Sequence, residues 1–430
     1  MISARLSRIV SPHAFYGLLG LPLAMAALPV YVQIPAYYTT QLGLPLASTG
    51  LVLFFARLVD TVQDPLLGRM IDRRQQRIGS WLIIAALLLA MAFYGLWLPP
   101  VGNAAQGSSP ALLLTWMGVM LVLAYTAHSM INIAYLSWGA RLTDSAGSNM
   151  APSQSSLLGA AAWREGLGLF GVILASLIPS FIMLGSPEQI QARLMIYVLG
   201  YAGLLAMGVA ALLLAAPKWR QNSEDKVPSL REALSNTQFR RLLPAYFLNS
   251  LSVSVPATLA LFFINDRIEA QHMTGYFLAS YFLAGAVGLP VWMVIARRIG
   301  TIAAWRSGML LAIISFIGAA FLGSGDVTAY LIVCIASGLA LGADLALPPV
   351  LLAEIIPKDQ APASYYGVWT LLGKLALALS GLALPLLSLL SYQPGQPGGS
   401  SETTGLVLMY AALPCLLKLC AMRALHKVSK

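Results

Sequence analysis

Twelve long, mostly apolar segments separated by shorter polar stretches form the dominant pattern along the chain. They run at residues 14–38, 46–68, 80–100, 111–137, 157–184, 192–216, 239–265, 273–296, 303–324, 327–350, 362–391 and 404–424. Each exceeds the roughly 18 residues that are typical of a membrane-spanning helix. The longest polar stretch, 218–241, follows the sixth segment, and we expect it to contain a short surface helix. The pattern predicts an all-α membrane protein of about twelve transmembrane helices, with a six-helix half at 1–217, a cytoplasmic linker at 218–238 and a second six-helix half at 239–430.

Composition supports this class of fold. Hydrophobic residues make up 58% of the 430-residue chain and charged residues only 10%. A soluble globular protein carries about 25% charged residues, so this chain has too little polar surface to face water on all sides. The three cysteines, Cys334, Cys415 and Cys420, lie inside apolar segments and show no CxxC or histidine spacing. We therefore expect no disulfide framework, no zinc site and no cofactor.

The formal net charge of +10 follows the predicted topology. Basic residues cluster in alternate gaps between the apolar segments, and only Arg193 and Arg267 fall in the intervening gaps. By the positive-inside rule, both termini and the linker lie in the cytoplasm of an inner-membrane, multi-pass protein, and nucleic acid is not an expected partner. The clusters comprise Arg5 and Arg8; Arg69, Arg73, Arg74 and Arg77; Lys218–Arg241; Arg297, Arg298 and Arg306; and Lys418, Arg423, Lys427 and Lys430.

Charged residues inside the apolar segments are the candidates for function. A charge at the centre of a membrane helix costs about 2.5–3.5 kcal/mol on insertion scales, so such residues usually face a cavity or a partner. We single out seven of them as candidates: Arg57, Asp60, Asp64, Arg164, Glu165, Asp344 and Lys374.

Asp60 and Asp64 form the strongest candidate pair. Four residues apart on a helix, they share one face, with α-carbons about 6 Å apart along the axis. Two carboxylates in a dry site repel each other unless one is protonated or a cation lies between them. The pair therefore indicates a site for Na⁺, which prefers oxygen ligands, or for a proton. The alternative is that Arg57, one turn earlier, neutralises Asp60 in a purely structural role.

Beyond this segment, Asp72 is expected in a short cytoplasmic loop together with Arg73 and Arg74. Charge pairing in such a loop locks neighbouring helices together. We predict a gating or structural role there and no contact with the solute.

The stretch ARLVDTVQDPLLGRMIDRRQQRIG, from Ala56 to Gly79, resembles the signature of the glycoside–pentoside–hexuronide:cation symporters, the melibiose-carrier-like branch of the major facilitator superfamily. The two aspartates, Gly68 and the basic loop follow that pattern. INIAYLSWGARLT from Ile131 resembles the fourth helix of the family. YYGVWTLLGKLALALSG around Lys374 resembles the eleventh.

The resemblance implies roles for individual residues. Asp60 and Asp64 would bind the coupling cation, with Gln63 and Ser129 as further oxygen ligands, while Arg164 and Lys374 would link cation to solute. The chain departs from the family in its first segment, which contains no acid, and at Asn132, where the family has an aspartate. A cavity without these carboxylates is poorly suited to sugar hydroxyls.

The remaining anchors favour a different solute. Arg164 and Lys374 suit an anionic, zwitterionic or lipid-like molecule, with Asn132 as a further contact. Asp344 is expected to balance Lys374 on the neighbouring helix, whereas Glu165 lies about 100° around the helix from Arg164 and need not be its partner. His128 either relays a proton or is a hydrogen-bonded packing residue.

The sequence thus predicts a secondary active transporter that couples a small solute to Na⁺ or H⁺ by alternating access, working as a monomer among membrane lipids. An enzyme is not expected, because the chain lacks a catalytic constellation. Two alternatives stay open. One is an uncoupled facilitator or lipid flippase, and the other is a non-transporting receptor or assembly factor.

Overall fold

A computed structural model describes residues 12–99, 109–142, 153–182, 187–217, 227–383, 386–387 and 402–427. Arg5, Arg8, Lys430 and the start of the predicted linker lie outside these residues. The first half contains α1 Pro12–Gly17, α2 Gly20–Ala36, α3 Leu46–Arg73, α4 Ile78–Trp97, α5 Pro110–Gly139, α6 Gln154–Ile182 and α7 Pro187–Leu214. A π-turn, Tyr37–Gln41, extends α2, and a short 3₁₀ turn, Gln75–Arg77, leads into α4.

The second half begins with the short helix predicted in the polar stretch. Its helices are α8 Leu230–Ser235, α9 Thr237–Phe262, α10 Thr274–Ile299, α11 Thr301–Ala320, α12 Val327–Ile355, α13 Ala363–Ser380, α14 Glu402–Val407 and α15 Leu413–His426. The π-turns Phe263–Arg267 and Leu408–Ala412 extend α9 and join α14 to α15, and a 3₁₀ turn, Gln271–Met273, precedes α10.

Nine helices in the described part of the chain are long and apolar enough to cross a membrane. They correspond to α4–α7, α9–α12 and the α14–α15 segment. The remaining predicted segments are occupied by α1–α2, α3 and α13. The first of these is interrupted at Leu18 and Leu19, between two helices, where Gly17 and Gly20 flank the break and an apolar run alone does not predict it.

The chain divides into two compact units. The first unit comprises Met1–Ser229 and Pro357–Val368, and the second unit comprises Leu230–Ile356 and Trp369–Lys430. The division at Ser229 falls within the predicted linker 218–238. Residues 357–368, which lie in the predicted C-terminal half, belong to the first unit, so α13 is shared between the two.

Within the first unit, glycines let α2 and α6 approach closely. A Cβ atom added to Gly20 would lie 2.6 Å from the carbonyl oxygen of Arg164, and one added to Gly171 would lie 2.3 Å from that of Leu21. Both distances are far below van der Waals contact. Small residues at such crossings permit backbone contact between membrane helices.

Within the second unit, α10 and α12 cross in the same way. A Cβ on Gly338 would lie 2.3 Å from the carbonyl oxygen of Tyr281, and one on Gly288 would lie 2.8 Å from that of Leu339. The indole of Trp292 donates to the same Leu339 oxygen at 2.7 Å. This contact adds a side-chain hydrogen bond to the backbone contact between α10 and α12.

One element differs from its predicted bounds in a way that concerns function. We expected Asp72 in a loop, but α3 continues without interruption to Arg73. Asp72 is only 2% exposed. Its carboxylate lies inside the first unit, where it accepts hydrogen bonds from the protein. The loop prediction was wrong because it treated the end of the apolar run as the end of the helix.

Candidate functional site

The carboxylate of Asp60 lies at the centre of a polar cluster in the first unit. Asp60 is 4% exposed on α3. Its Oδ1 accepts a hydrogen bond from the Ser129 hydroxyl on α5 at 3.0 Å and from the Gln63 amide at 3.2 Å. The structure therefore brings together three of the four residues predicted for the cation. That these residues bind a cation stays a prediction.

Thr126 completes this cluster and was missed in the sequence. Its hydroxyl donates to Gln63 Oε1 at 2.8 Å. This bond orients the Gln63 amide so that its nitrogen faces Asp60. The sequence signal that could have identified Thr126 is its spacing. Thr126 lies three residues before Ser129, so the two residues share one face of α5. Tyr125 on the same helix interacts with Arg57, so Arg57 has a partner other than Asp60.

Asp64 lies one turn after Asp60 and has no exposed surface. The backbone of α3 at this point lies against the start of α13, since a Cβ on Gly367 would come within 2.6 Å of the Asp64 carbonyl oxygen. Two carboxylates are thus buried one turn apart on α3. The described residues contain no group of three or more histidine, cysteine or acidic side chains that would hold a transition metal.

Asp72 ties the end of α3 to the first turn of α13. Its carboxylate accepts the backbone N–H groups of Ala363 at 2.9 Å and Ser364 at 2.6 Å, and also the Ser364 hydroxyl at 2.6 Å. A negative charge at a helix N-terminus complements the helix dipole. Asp72 lies beyond the apolar run 46–68. Burial raises its pKa to about 6, and the hydrogen bonds from Ser364 oppose this rise, so the carboxylate is ionised at pH 7.

Gly68 allows the end of α3 to lie against the first turn of α13. A Cβ at this position would lie 2.3 Å from the carbonyl oxygen of Ala363, so only glycine permits the observed approach of the two backbones. In the same region, the guanidinium of Arg141 donates to the backbone oxygen of Gln360. Arg73, predicted to share the gating role, is exposed at the end of α3.

Arg164 is paired with its neighbour in sequence. Its Nε donates to Glu165 Oε1 at 2.8 Å, and its Nη2 lies 2.5 Å from the same oxygen. The angle of 100° between adjacent residues did not require this pairing, but it applies to Cβ directions, and two long side chains can bend towards each other. The pair carries no net charge, so Arg164 offers less attraction to an anion than the sequence suggested.

Asp344 pairs with Lys418 and not with Lys374. Lys418 Nζ lies 2.8 Å from Asp344 Oδ2 and 2.9 Å from Asn249 Oδ1. The sequence analysis counted Lys418 among the cytoplasmic basic residues, but its side chain is 1% exposed. The prediction failed because α12 and α13 were assumed to face each other through these residues. Lys374 lies half-buried on α13 in the second unit, and Asn132 lies half-buried on α5 in the first.

His128 lies with one ring nitrogen 3.2 Å from the carbonyl oxygen of Leu23. This contact between α5 and α2 favours the packing interpretation of His128. Of the aromatic residues in polar surroundings, Trp138 donates to the oxygen of Pro217 at 3.0 Å, and Trp369 stacks on Tyr246.

Comparison with known proteins places this architecture in a family. Residues 15–428 match the model of the MFS/sugar transport protein family. The chain is 23% identical over 302 residues to the Inner membrane symporter YicJ of Escherichia coli (strain K12), covering 65% of this chain and 59% of that protein. It is 22% identical over 254 residues to the Uncharacterized symporter sll1374 of Synechocystis sp. (strain ATCC 27184 / PCC 6803 / Kazusa), covering 57% and 42% respectively. The matched region therefore spans about half the length of these relatives.

Solved structures share the fold. A bacterial homologue of the iron transporter ferroportin in an outward-facing state superposes with a TM-score of 0.71 at 18% identity, covering 98% of this chain and 100% of that one. The E. coli fucose:proton symporter FucP gives a TM-score of 0.69 at 16% identity, covering 98% and 99%. The predicted all-α transporter fold is confirmed. Because the family model matches nearly the whole chain, the protein belongs to the MFS/sugar transport protein family of the major facilitator superfamily, a family of multi-pass membrane transporters and not of enzymes.

Proposed function

We propose that this protein is a cation-coupled symporter of a small solute, in which Asp60 and Asp64 hold the coupling cation. The observation that carries the proposal is the hydrogen-bonded cluster around Asp60, with Asp64 buried one turn later on the same helix. The protein would work in the cytoplasmic membrane with both termini inside the cell, as the distribution of basic residues favours.

The donor set suits either of two cations. Asp60, Asp64 and Ser129 offer oxygen atoms of the kind that a hard cation such as Na⁺ requires, and Gln63 adds its Oε1 when its amide, whose nitrogen faces Asp60, turns over. A proton would instead be held by one carboxylate of the pair, because two buried carboxylates one turn apart disfavour double ionisation. In both cases the bound cation removes negative charge from a dry site.

Neutralisation of this charge gives the coupling step a physical basis. Burying net charge in an apolar environment is costly. The cation-loaded cluster is therefore the form best suited to a conformation that excludes water, and a solute that binds only after the cation would move together with it. Both relatives carry the name symporter, and the structural neighbour FucP is a fucose:proton symporter. These names support coupling without assigning an ion or a solute to this chain.

Two of the basic residues inside the helices do not define an anion site. Arg164 in the first half is neutralised by Glu165, and Lys418 in the second half is neutralised by Asp344. Lys374 stays a proposed contact of the solute. An uncoupled facilitator is the second candidate, and it differs only in lacking a response to the cation.

The experiment is a thermal-stability titration of the purified protein in detergent. NaCl is compared with choline chloride and LiCl, and pH is varied separately, for wild type, Asp64→Asn and the control Asp359→Asn, which changes an exposed carboxylate. A cation at 100 times its dissociation constant adds about 2.7 kcal/mol of stability to the folded state.

Each outcome has a defined meaning. Stabilisation by Na⁺ that disappears in Asp64→Asn but persists in Asp359→Asn supports Na⁺ coupling. Stabilisation on acidification that disappears in the same variant supports proton coupling. A wild-type protein that responds to neither ion overturns the proposal in favour of the uncoupled facilitator.

A further inference from the structure

The second unit contains a cavity that the proposed cation site does not use. Side chains of α9, α10, α11 and α12 form its apolar wall, including Leu278, Phe282, Phe316 and Leu341. The carboxylate of Asp344 and the ammonium of Lys418 also line it. A buried ion pair at the surface of an apolar cavity is unusual, because charge and apolar surface are normally kept apart.

The cavity follows one face of α12. Tyr330, Cys334, Ser337, Leu341 and Asp344 all line it, and their spacing of four, three, four and three residues places them on a single helical stripe. At 1.5 Å per residue, this stripe is about 21 Å long. The cavity is therefore an elongated slot with the ion pair of Asp344 near one end.

Two tyrosines line the other end. The hydroxyls of Tyr330 and Tyr410 lie 2.8 Å apart, so one of them donates to the other. The charged lining residues, Asp344 and Lys418, lie together at the Asp344 end, and the rest of the lining is mostly apolar, with the hydroxyls of Ser337 and Tyr281 as further polar groups.

The ion pair has hydrogen-bonding capacity left over. Asp344 Oδ1 accepts from Asn249 Nδ2 and from Trp305 Nε1, both at 3.0 Å, whereas Oδ2 accepts only from Lys418 within the described residues. Lys418 uses two of its three N–H donors, on Asp344 and Asn249. One ammonium proton and one lone pair of Oδ2 thus remain at the same end of the slot.

We propose that this slot binds an uncharged solute with an apolar body and a terminal hydroxyl group. A hydroxyl both donates and accepts, so one group matches the remaining donor of Lys418 and the remaining acceptor of Asp344. A charged head group is disfavoured, because the pair is already neutral and a third charge would be buried without compensation. That this molecule is the transported solute rests on the proposed symport, whereas its binding does not.

The test compares three probes that share one apolar body. Phenylbutanol, phenylbutyrate and phenylbutylamine differ only in a neutral, anionic or cationic head. Binding is measured by equilibrium dialysis with the protein in lipid nanodiscs, with empty nanodiscs correcting for partition into lipid. We expect saturable binding of the alcohol, at least about tenfold tighter than that of either charged analogue.

Variants in the wall locate the site without disturbing the charges. Ala260→Trp fills the slot, because Ala260 lines it. Leu261→Trp places the same indole side chain one residue later on α9, at a position that is 51% exposed and outside the cavity. The alcohol should lose its saturable binding in Ala260→Trp and keep it in Leu261→Trp. Equal affinity for a charged probe, or wild-type binding in Ala260→Trp, would overturn the proposal.

The two proposals fail separately. Dialysis uses no ion gradient, so alcohol binding can be measured whether or not the protein is cation-coupled. If the protein binds the alcohol but responds to neither Na⁺ nor pH, the coupling proposal is refuted and the proposal for the slot stands. If the protein responds to the cation but shows no saturable alcohol binding, the proposal for the slot is refuted and the coupling proposal stands.

Discussion

Lys418 Nζ lies 2.8 Å from Asp344 Oδ2, with the two side chains 1% and 6% exposed. Asn249 bridges them, donating to the carboxylate and accepting from the ammonium. This is a buried ion pair whose remaining atoms are nearly all hydrogen-bonded. Such a pair adds little net stability compared with an apolar replacement, but it makes the loss of either partner costly.

Lys418→Met should therefore destabilise the protein by about 3–5 kcal/mol, because it leaves the Asp344 carboxylate buried without its counter-charge. The double variant Lys418→Met/Asp344→Asn should recover at least about 1 kcal/mol, since contacting residues couple by about 0.5–3 kcal/mol. Thermal unfolding in detergent measures both, and Lys358→Met at an exposed lysine serves as the control. Strictly additive losses in the double variant would show that the two groups do not interact.

Gly68→Ala tests the close approach of α3 to residues 363–364. The added methyl would lie 2.3 Å from the Ala363 carbonyl oxygen, and overpacking of this kind costs about 1–3 kcal/mol. Gly50→Ala on the same helix meets nothing within 4 Å and should be neutral or stabilising by up to about 1 kcal/mol, as alanine favours helix. Hydrogen exchange of the 357–368 segment should rise in the first variant only. Equal exchange in both would mean that the contact is absent in solution.

Asp72→Asn tests the same attachment through charge. Removing the negative charge from the N-terminus of α13 should weaken it by about 1–2 kcal/mol, because charge-assisted hydrogen bonds from Ala363 and Ser364 become neutral ones. Exchange at these amides should increase, whereas Asp359→Asn at an exposed carboxylate should leave it unchanged. If the backbone amides of Ala363 and Ser364 exchange as slowly in Asp72→Asn as in wild type, the contact does not depend on the charge of Asp72.

The helical framework could be predicted because the length of each apolar run can be read directly from the sequence. The segment predicted at 239–265 is α9, Thr237–Phe262, and the one at 327–350 is α12, Val327–Ile355. The errors occur where length alone is insufficient. Hydrophobicity alone does not show the break between α1 and α2, which Gly17 and Gly20 flank, and the polar residues after Gly68 hide the continuation of α3 to Arg73.

The first-unit cluster was predictable because Asp60 and Gln63 are close in sequence and the family resemblance points to Ser129. The partner of Asp344 was not, because it depends on which faces α12 and α15 present to each other. Lys418 was misread as a cytoplasmic residue, although LPCLLKLCAM surrounds it with apolar side chains. A lysine flanked by apolar residues on both sides is itself the signal for a buried partner.

The orientation of Gln63 gives a last prediction about the cation cluster. The Thr126 hydroxyl holds Gln63 Oε1 at 2.8 Å, and the amide nitrogen then faces Asp60. Thr126→Val keeps the shape of the side chain and removes this one hydrogen bond, which is worth about 1 kcal/mol. Without this bond the amide can turn its Oε1 towards Asp60, and the N–H donor that stabilises the ion-free carboxylate is weakened. If Gln63 is a ligand, the apparent affinity for the ion that stabilises wild type should therefore rise about fivefold.

The measurement is the midpoint of the NaCl or pH titration of thermal stability. Thr115→Val is the matched control, because Thr115 lies exposed on the same helix and its hydroxyl bonds only to the Ala111 backbone oxygen. Thr115→Val should titrate like wild type. A Thr126→Val protein with an unchanged midpoint would show that the Gln63 amide is free to choose its orientation, and Gln63 would then be removed from the proposed ligand set while Asp60 and Asp64 remain.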